Sequence, residues 1–144
     1  MQFDTNNNIV KLCAQGMMYE GEGKPAEAHE MFLQAWNEST NELEKFTSAH
    51  YVARHQKTVA DKLHWDETAL NFALRINDES MKANYPSLYL NIAKCYEDLD
   101  DHNNSGKNYQ LAFSFSNLLP EDGYGKMIKQ GIENGMKRIA AKEQ

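Results

Sequence analysis

No apolar run in this chain approaches the roughly 20 residues that a membrane-spanning helix requires, so the sequence predicts no membrane segment. Alternating runs of β-branched and polar residues, the mark of half-buried strands, are scarce too, which argues against a sheet and for an all-α fold. Basic residues are outnumbered, with 15 Lys and Arg against 21 Asp and Glu. The resulting net charge of −6 disfavours nucleic acid and anionic membranes as partners, since both attract basic surfaces. The start MQFDTNNN has no basic stretch followed by an apolar one, and the expected location is therefore cytoplasmic. The only cysteines, Cys13 and Cys95, stand on neither a CxxC nor a metal-ligand spacing, and both read as reduced, largely buried thiols.

Catalytic vocabulary is thin. There is no GxSxG elbow and no HExxH, and the glycine pairs at Gly21/Gly23 and Gly123/Gly125 have no strand before them to make a phosphate cradle. One region invites a metal or acid/base reading: AHYVARHQ and HWDE carry His50, His55 and His64 beside Asp66 and Glu67. His50 and His55 are five residues apart, roughly 140° around a helix, whereas two ligands on one helical face need a spacing of three or four. The expectation is a non-enzyme without metal or cofactor, and a small helical enzyme or metal-binding protein built on the three histidines is the alternative.

What the chain does contain is helical periodicity broken at regular intervals. Between Pro86 and Phe113, Leu88, Ile92, Cys95 and Leu99 share one face of a first helix, and Tyr109, Ala112 and Phe113 one face of a second. The intervening DLDDHNNSG is rich in side chains that compete for backbone hydrogen bonds, and it reads as a turn. An earlier stretch, Ile9 to Ala35, has the same form, with Gly23 as a left-handed helix end and Pro25 as the start of the next helix.

Small residues at Ala93 and Ser105, with Tyr96, Tyr109 and Ala112, fall on the pattern of a tetratricopeptide repeat; Leu12, Gly16, Tyr19, Gly23, Ala28, Phe32 and Ala35 fall on it again. The chain resembles a small stand-alone bacterial member of that family. The resemblance implies a right-handed α-α superhelix of three hairpins plus a capping helix, about seven helices in one domain over 1–144. Its repeats are 7–38, a degenerate 40–78, and 84–117, with the cap at 120–142. In the degenerate repeat, Thr40 is the expected N-cap and Leu43, Phe46, His50 and Ala53 the inward face. A one-residue shift places Ala49 inward instead, and loses because it buries Lys45. The partner helix is expected at Trp65 to Ile76, with Ala69, Phe72, Ala73 and Ile76 inward, after a long linker TVADKLH. In the last helix Ile128, Ile132, Met136 and Ile139 form the stripe that covers the stack, and Gly131 and Gly135, at GxxxG spacing, receive no role.

Members of the family bind peptides on the concave face made by the first helix of each repeat. Carried onto this chain, that face comprises Val10, Cys13, Met17 and Glu20, then Glu44, Thr47, Tyr51, Arg54 and His55, then Leu90, Asn91, Lys94 and Glu97. The groove residues singled out are Thr47, Tyr51, Arg54, His55, Asn91 and Lys94. The implied function is non-catalytic binding of a protein or peptide, acidic or ending in a free carboxylate, with a homodimer as a further option. Against this stands a bland reading in which Lys94 pairs with Asp98 and Arg54 with Glu97 on a solvated face.

Overall fold

The structure is a computed structural model and describes residues 4–143. The chain is all-α: the described residues form seven α-helices and two short 3-10 helices, with no strand among them. It divides between Asn77 and Asp78 into two compact units.

The first unit holds α1 (Asn8–Gly21), α2 (Pro25–Glu38), α3 (Glu42–Ala53) and α4 (Val59–Arg75). Asn7 caps α1 by accepting from the amides of Ile9 and Val10, at 2.8 and 3.1 Å. Gly23 ends it at φ 74, where a side chain would be strained, and Pro25 opens α2. Ile9 and Cys13 of α1, Ala28, Phe32 and Ala35 of α2 and Val52 of α3 close into one core. Gly16 faces Phe32 so closely that a Cβ there would overlap the ring. Phe32 has no room to yield, being fully buried and stacked on Tyr51 and His55 at centroid distances of 5.0 and 5.6 Å. Gly16→Ala should therefore destabilise this unit by about 1–3 kcal/mol in urea denaturation, as overpacked cores do. An unchanged midpoint would mean the two helices part at no cost.

The register of α3 is the one shifted by a residue, with Ala49 inward, and not the expected one. Ala49 is fully buried and His50 only partly so, while Phe46 and Ala53 are buried as expected. Lys45 resolves the objection to this register because its stem lies along Trp36: the ammonium is 4.1 Å from the ring centroid and donates to the Trp36 carbonyl at 3.0 Å. The cap of α3 is Asn41, which accepts from the Glu44 amide, rather than Thr40. Nor is TVADKLH a linker. Thr58 accepts from the Asp61 amide at 3.1 Å and starts α4 six residues earlier than Trp65. Along α4, Ala69 and Ala73 are fully buried, whereas Phe72 and Ile76 are only partly so.

The second unit holds a 3-10 helix (Glu79–Asn84), α5 (Tyr85–Asp98), α6 (His102–Ser114), a second 3-10 helix (Ser116–Leu118) and α7 (Gly123–Lys142). Asp101 caps α6 through the Asn104 amide, so HNNSG is the first turn of a helix and the bend is confined to Leu99 through Asp101. The two hairpins turn alike at a separation of 77 residues. Lys24 N–H returns to the Tyr19 carbonyl and Asp101 N–H to the Tyr96 carbonyl, both at 2.9 Å, with Gly23 and Asp100 at positive φ. Leu99 and Phe113, expected on inward faces, are 44% and 50% exposed. Leu99 sits at the cap, past the last turn of α5.

Helix α7 packs on both α5 and α6. Ile128, Ile132 and Ile139 are buried, with Met136 packed beside them. Two of the four glycines of α7 face the hairpin: a Cβ on Gly131 would stand 3.2 Å from Leu90, and one on Gly135 would overlap the Tyr109 ring. The GxxxG spacing thus sets how closely α7 approaches.

Candidate functional site: a groove between the first and third helices

Helices α1 and α3 meet along a strip of side chains one helical face wide. Val10, Cys13, Ala14 and Met17 come from α1, and Thr47 and Tyr51 from α3; together they line an open groove of about 170 Å³. A neighbouring hollow of about 140 Å³ shares Val10 and Thr47 and is lined further by Asp4, Asn7, Ile9, Asn41, Leu43 and Glu44, so the two form one trough. Polar links between the helices fix its width at both ends. At one, Asn7 Nδ2 donates to Glu44 Oε2 at 2.8 Å. At the other, Glu20 accepts from Arg54 Nη1 at 3.1 Å and pairs with His55 Nε2 at 2.8 Å.

The floor is largely apolar. Burial pushes the Cys13 thiol up to about 11, which keeps it protonated and unreactive near neutral pH. Tyr51 presents its ring, stacked on Phe32 beneath and covered by the Arg54 guanidinium at 4.6 Å, and burial raises its hydroxyl pKa as well. Thr47 spends its hydroxyl proton on the Leu43 carbonyl at 2.8 Å. Met17 is 41% exposed, an adaptable apolar side chain at the rim.

Four of the six groove residues expected from sequence, Thr47, Tyr51, Arg54 and His55, therefore gather at this trough. The other two, Asn91 and Lys94, belong to α5 in the second unit. Lys94 donates to Asp98 at 2.6 Å, as the bland reading held. Arg54 pairs within its own unit with Glu20. Asp4, Asn7, Ala14 and Asn41 line the trough without being expected there from sequence; the cap signal at Asn7, just before an apolar periodic run, is the sequence clue to one of them.

Within the second unit, part of the face matching this trough is covered by α7. Leu90, 77 residues on from Cys13, lies against Gly131, and Glu97, 77 on from Glu20, is buried under α7. Arg138 grips the Glu97 carboxylate with Nε at 2.7 Å and Nη2 at 3.1 Å, and the Tyr109 hydroxyl donates to it at 2.6 Å. The Arg138 hydrogen bonds, seconded by Tyr109 and opposed by burial, hold Glu97 down at about 2. Burial and the Glu97 charge raise the Tyr109 hydroxyl.

The histidines occupy separate settings. His50 stacks on Phe46 and meets Tyr51 edge-on, and burial, with Arg54 and Lys62 nearby, lowers its pKa to about 4. His55 closes the trough, and His64 is exposed on α4 with its ring 5.9 Å from that of Trp65. Burial and His55 lower the pKa of His29, whose ring lies 6.2 Å from that of His55. Among the described residues, no three of His, Cys, Asp or Glu are grouped to hold a metal ion, and none of the helices is long and apolar enough to cross a membrane. Comparison with protein-family models, curated proteins and solved structures found no match.

Proposed function

We propose that this chain is a non-catalytic protein-interaction module of tetratricopeptide type, and that the α1–α3 trough receives an apolar side chain from an extended segment of a partner protein. The observation that carries the reading is the trough itself: an open apolar floor held at fixed width by a polar link at either end. Helical spacing gives the floor its side chains from two elements, and a preset width means that a ligand need not order it on binding. The residues along it are hydrophobes, a protonated thiol and a hydroxyl already in use, which suits recognition better than turnover. The cytoplasm is the compartment that fits two buried cysteines that form no disulfide with each other.

The test is a selection of peptides from a displayed random library on the immobilised chain, followed by titration against variants. Met17→Glu places a charge at the rim of the apolar floor without disturbing the core, and should weaken the selected peptides at least about tenfold, since a charge does not enter an apolar contact unpaired. Leu111→Glu, on an exposed position of α6, serves as control and should leave affinity unchanged. Equal affinities for both variants would place binding elsewhere.

A further inference from the structure

The charges around the trough are not balanced. At the Tyr51 end, Arg54 is already met by Glu20, and its guanidinium lies flat on the ring, so little positive charge remains to attract a carboxylate. At the other end, Asp4 and Glu44 line the hollow together. Among the described residues the donors that hold Glu44 ionised are neutral, namely Asn7 at 2.8 Å and the Thr40 amide and hydroxyl at 2.9 and 3.2 Å, and Asp4 accepts from the Asn6 amide. Those bonds satisfy lone pairs but cancel no charge. The trough thus runs from a negative end that has no cation paired to it among the described residues, through an apolar floor, to a nearly neutral end, on a protein of net charge −6.

We infer, building on the docking reading above, that the partner segment is basic: a Lys or Arg sits at the Asp4/Glu44 end and a large apolar residue two positions along occupies the floor. The spacing comes from geometry. From Glu44 to the middle of the floor, between Thr47 and Tyr51, is about five helical residues, or roughly 7.5 Å at 1.5 Å each. Two residues of extended chain span nearly that, at about 3.3 Å each, and residues two apart point to the same side of an extended strand. Both side chains of a basic–x–apolar triplet can then enter one trough. The occupant's charge is opposite to the one that Arg54 and Lys94 suggested from sequence, because both of those cations have internal partners.

Three acetylated, amidated pentapeptides decide it: Ala-Lys-Ala-Leu-Ala, the same with Glu for Lys, and the same with Ala for Leu. Each is titrated into the full chain carrying labelled methionine methyls, with Met17 in the trough wall and Met18 on the same helix outside it as internal reference. The Lys-Leu peptide should shift Met17 at about tenfold lower concentration than either other peptide, and its affinity should fall as salt rises from about 50 to about 500 mM. In Glu44→Gln, which removes the charge and keeps the acceptor toward Thr40 while giving up the bond from Asn7 Nδ2, the preference for Lys over Glu should shrink to about twofold. If the Lys and Glu peptides shift Met17 equally, the trough binds apolar side chains but the basic partner is wrong. If none of them moves Met17, the docking reading itself fails.

Discussion

Tyr109→Ala should cost the second unit about 3–5 kcal/mol, the range for large aromatic truncations in cores. Tyr109 is fully buried, with its ring against Gly135 and within the cluster of Ala93 and Ile139. Truncation opens a cavity that Gly135, having no side chain, does nothing to fill. It also removes the hydroxyl that donates to Glu97 at 2.6 Å and accepts from Arg138 at 3.2 Å, so a buried carboxylate loses one of its donors. Tyr109→Phe separates these contributions: it keeps the ring, removes only the hydrogen bonds, and should cost about 1–2 kcal/mol. Urea denaturation followed by far-ultraviolet circular dichroism measures both. A loss below about 0.5 kcal/mol for Tyr109→Ala would show that α7 does not depend on the hairpin beneath it.

The hairpins were legible because their signals are local and steric. Gly23 before Pro25, and small residues at Gly16, Ala28, Ala93 and Ser105 opposite aromatic ones, dictate turn and approach without reference to the rest of the chain. The middle of the first unit was misread where a long polar side chain does two things at once. Burying Lys45 was judged too costly, but only its stem is covered, and its ammonium reaches both the Trp36 carbonyl and the Trp36 ring. The start of α4 was missed although its signal was present, since Thr58 followed three residues later by Asp61 has the form of a helix start. Gly131 and Gly135 receive no role from sequence because GxxxG spacing carries little weight in a soluble helix. Facing Leu90 and Tyr109 gives them one, and no periodicity in the sequence pairs those residues with α7.

The candidate site was half legible for a related reason. Helical spacing places Thr47, Tyr51 and Arg54 on one face; Thr47 and Tyr51 line the trough, and Arg54 lies over the Tyr51 ring. Whether Arg54 is free to meet a ligand depends on Glu20, 34 residues earlier, which sequence spacing alone does not bring to it. The sign of the partner charge was therefore read from a cation that the fold had already engaged.

Acid should unfold the two units over different pH ranges. In the first, His50 titrates at about 4 when folded, below the ordinary histidine value near 6.5, because burial, Arg54 and Lys62 disfavour its charge. The unfolded chain then binds the proton that the folded chain refuses, so stability is complete above about pH 6.5 and falls as pH drops toward 4. A separation of that size amounts to about 3 kcal/mol at its limit. His29, also lowered by burial, acts in the same direction. In the second unit the sign arises from a carboxylate. Glu97 titrates at about 2 when folded, below the ordinary glutamate value near 4.3, so its contribution is complete above about pH 4.3 and fades only as pH falls toward 2. The sequence provides a reporter for one unit alone, since both tryptophans, Trp36 and Trp65, lie in the first. Urea midpoints followed by tryptophan fluorescence should decline between about pH 6.5 and 4. Circular dichroism should retain a second, helical component there and lose it only below about pH 4. His50→Gln, which cannot titrate, should flatten the fluorescence-detected decline and leave the later one in place. If the variant and the wild type lose stability in parallel from pH 6.5 downward, His50 is not the group that refuses the proton.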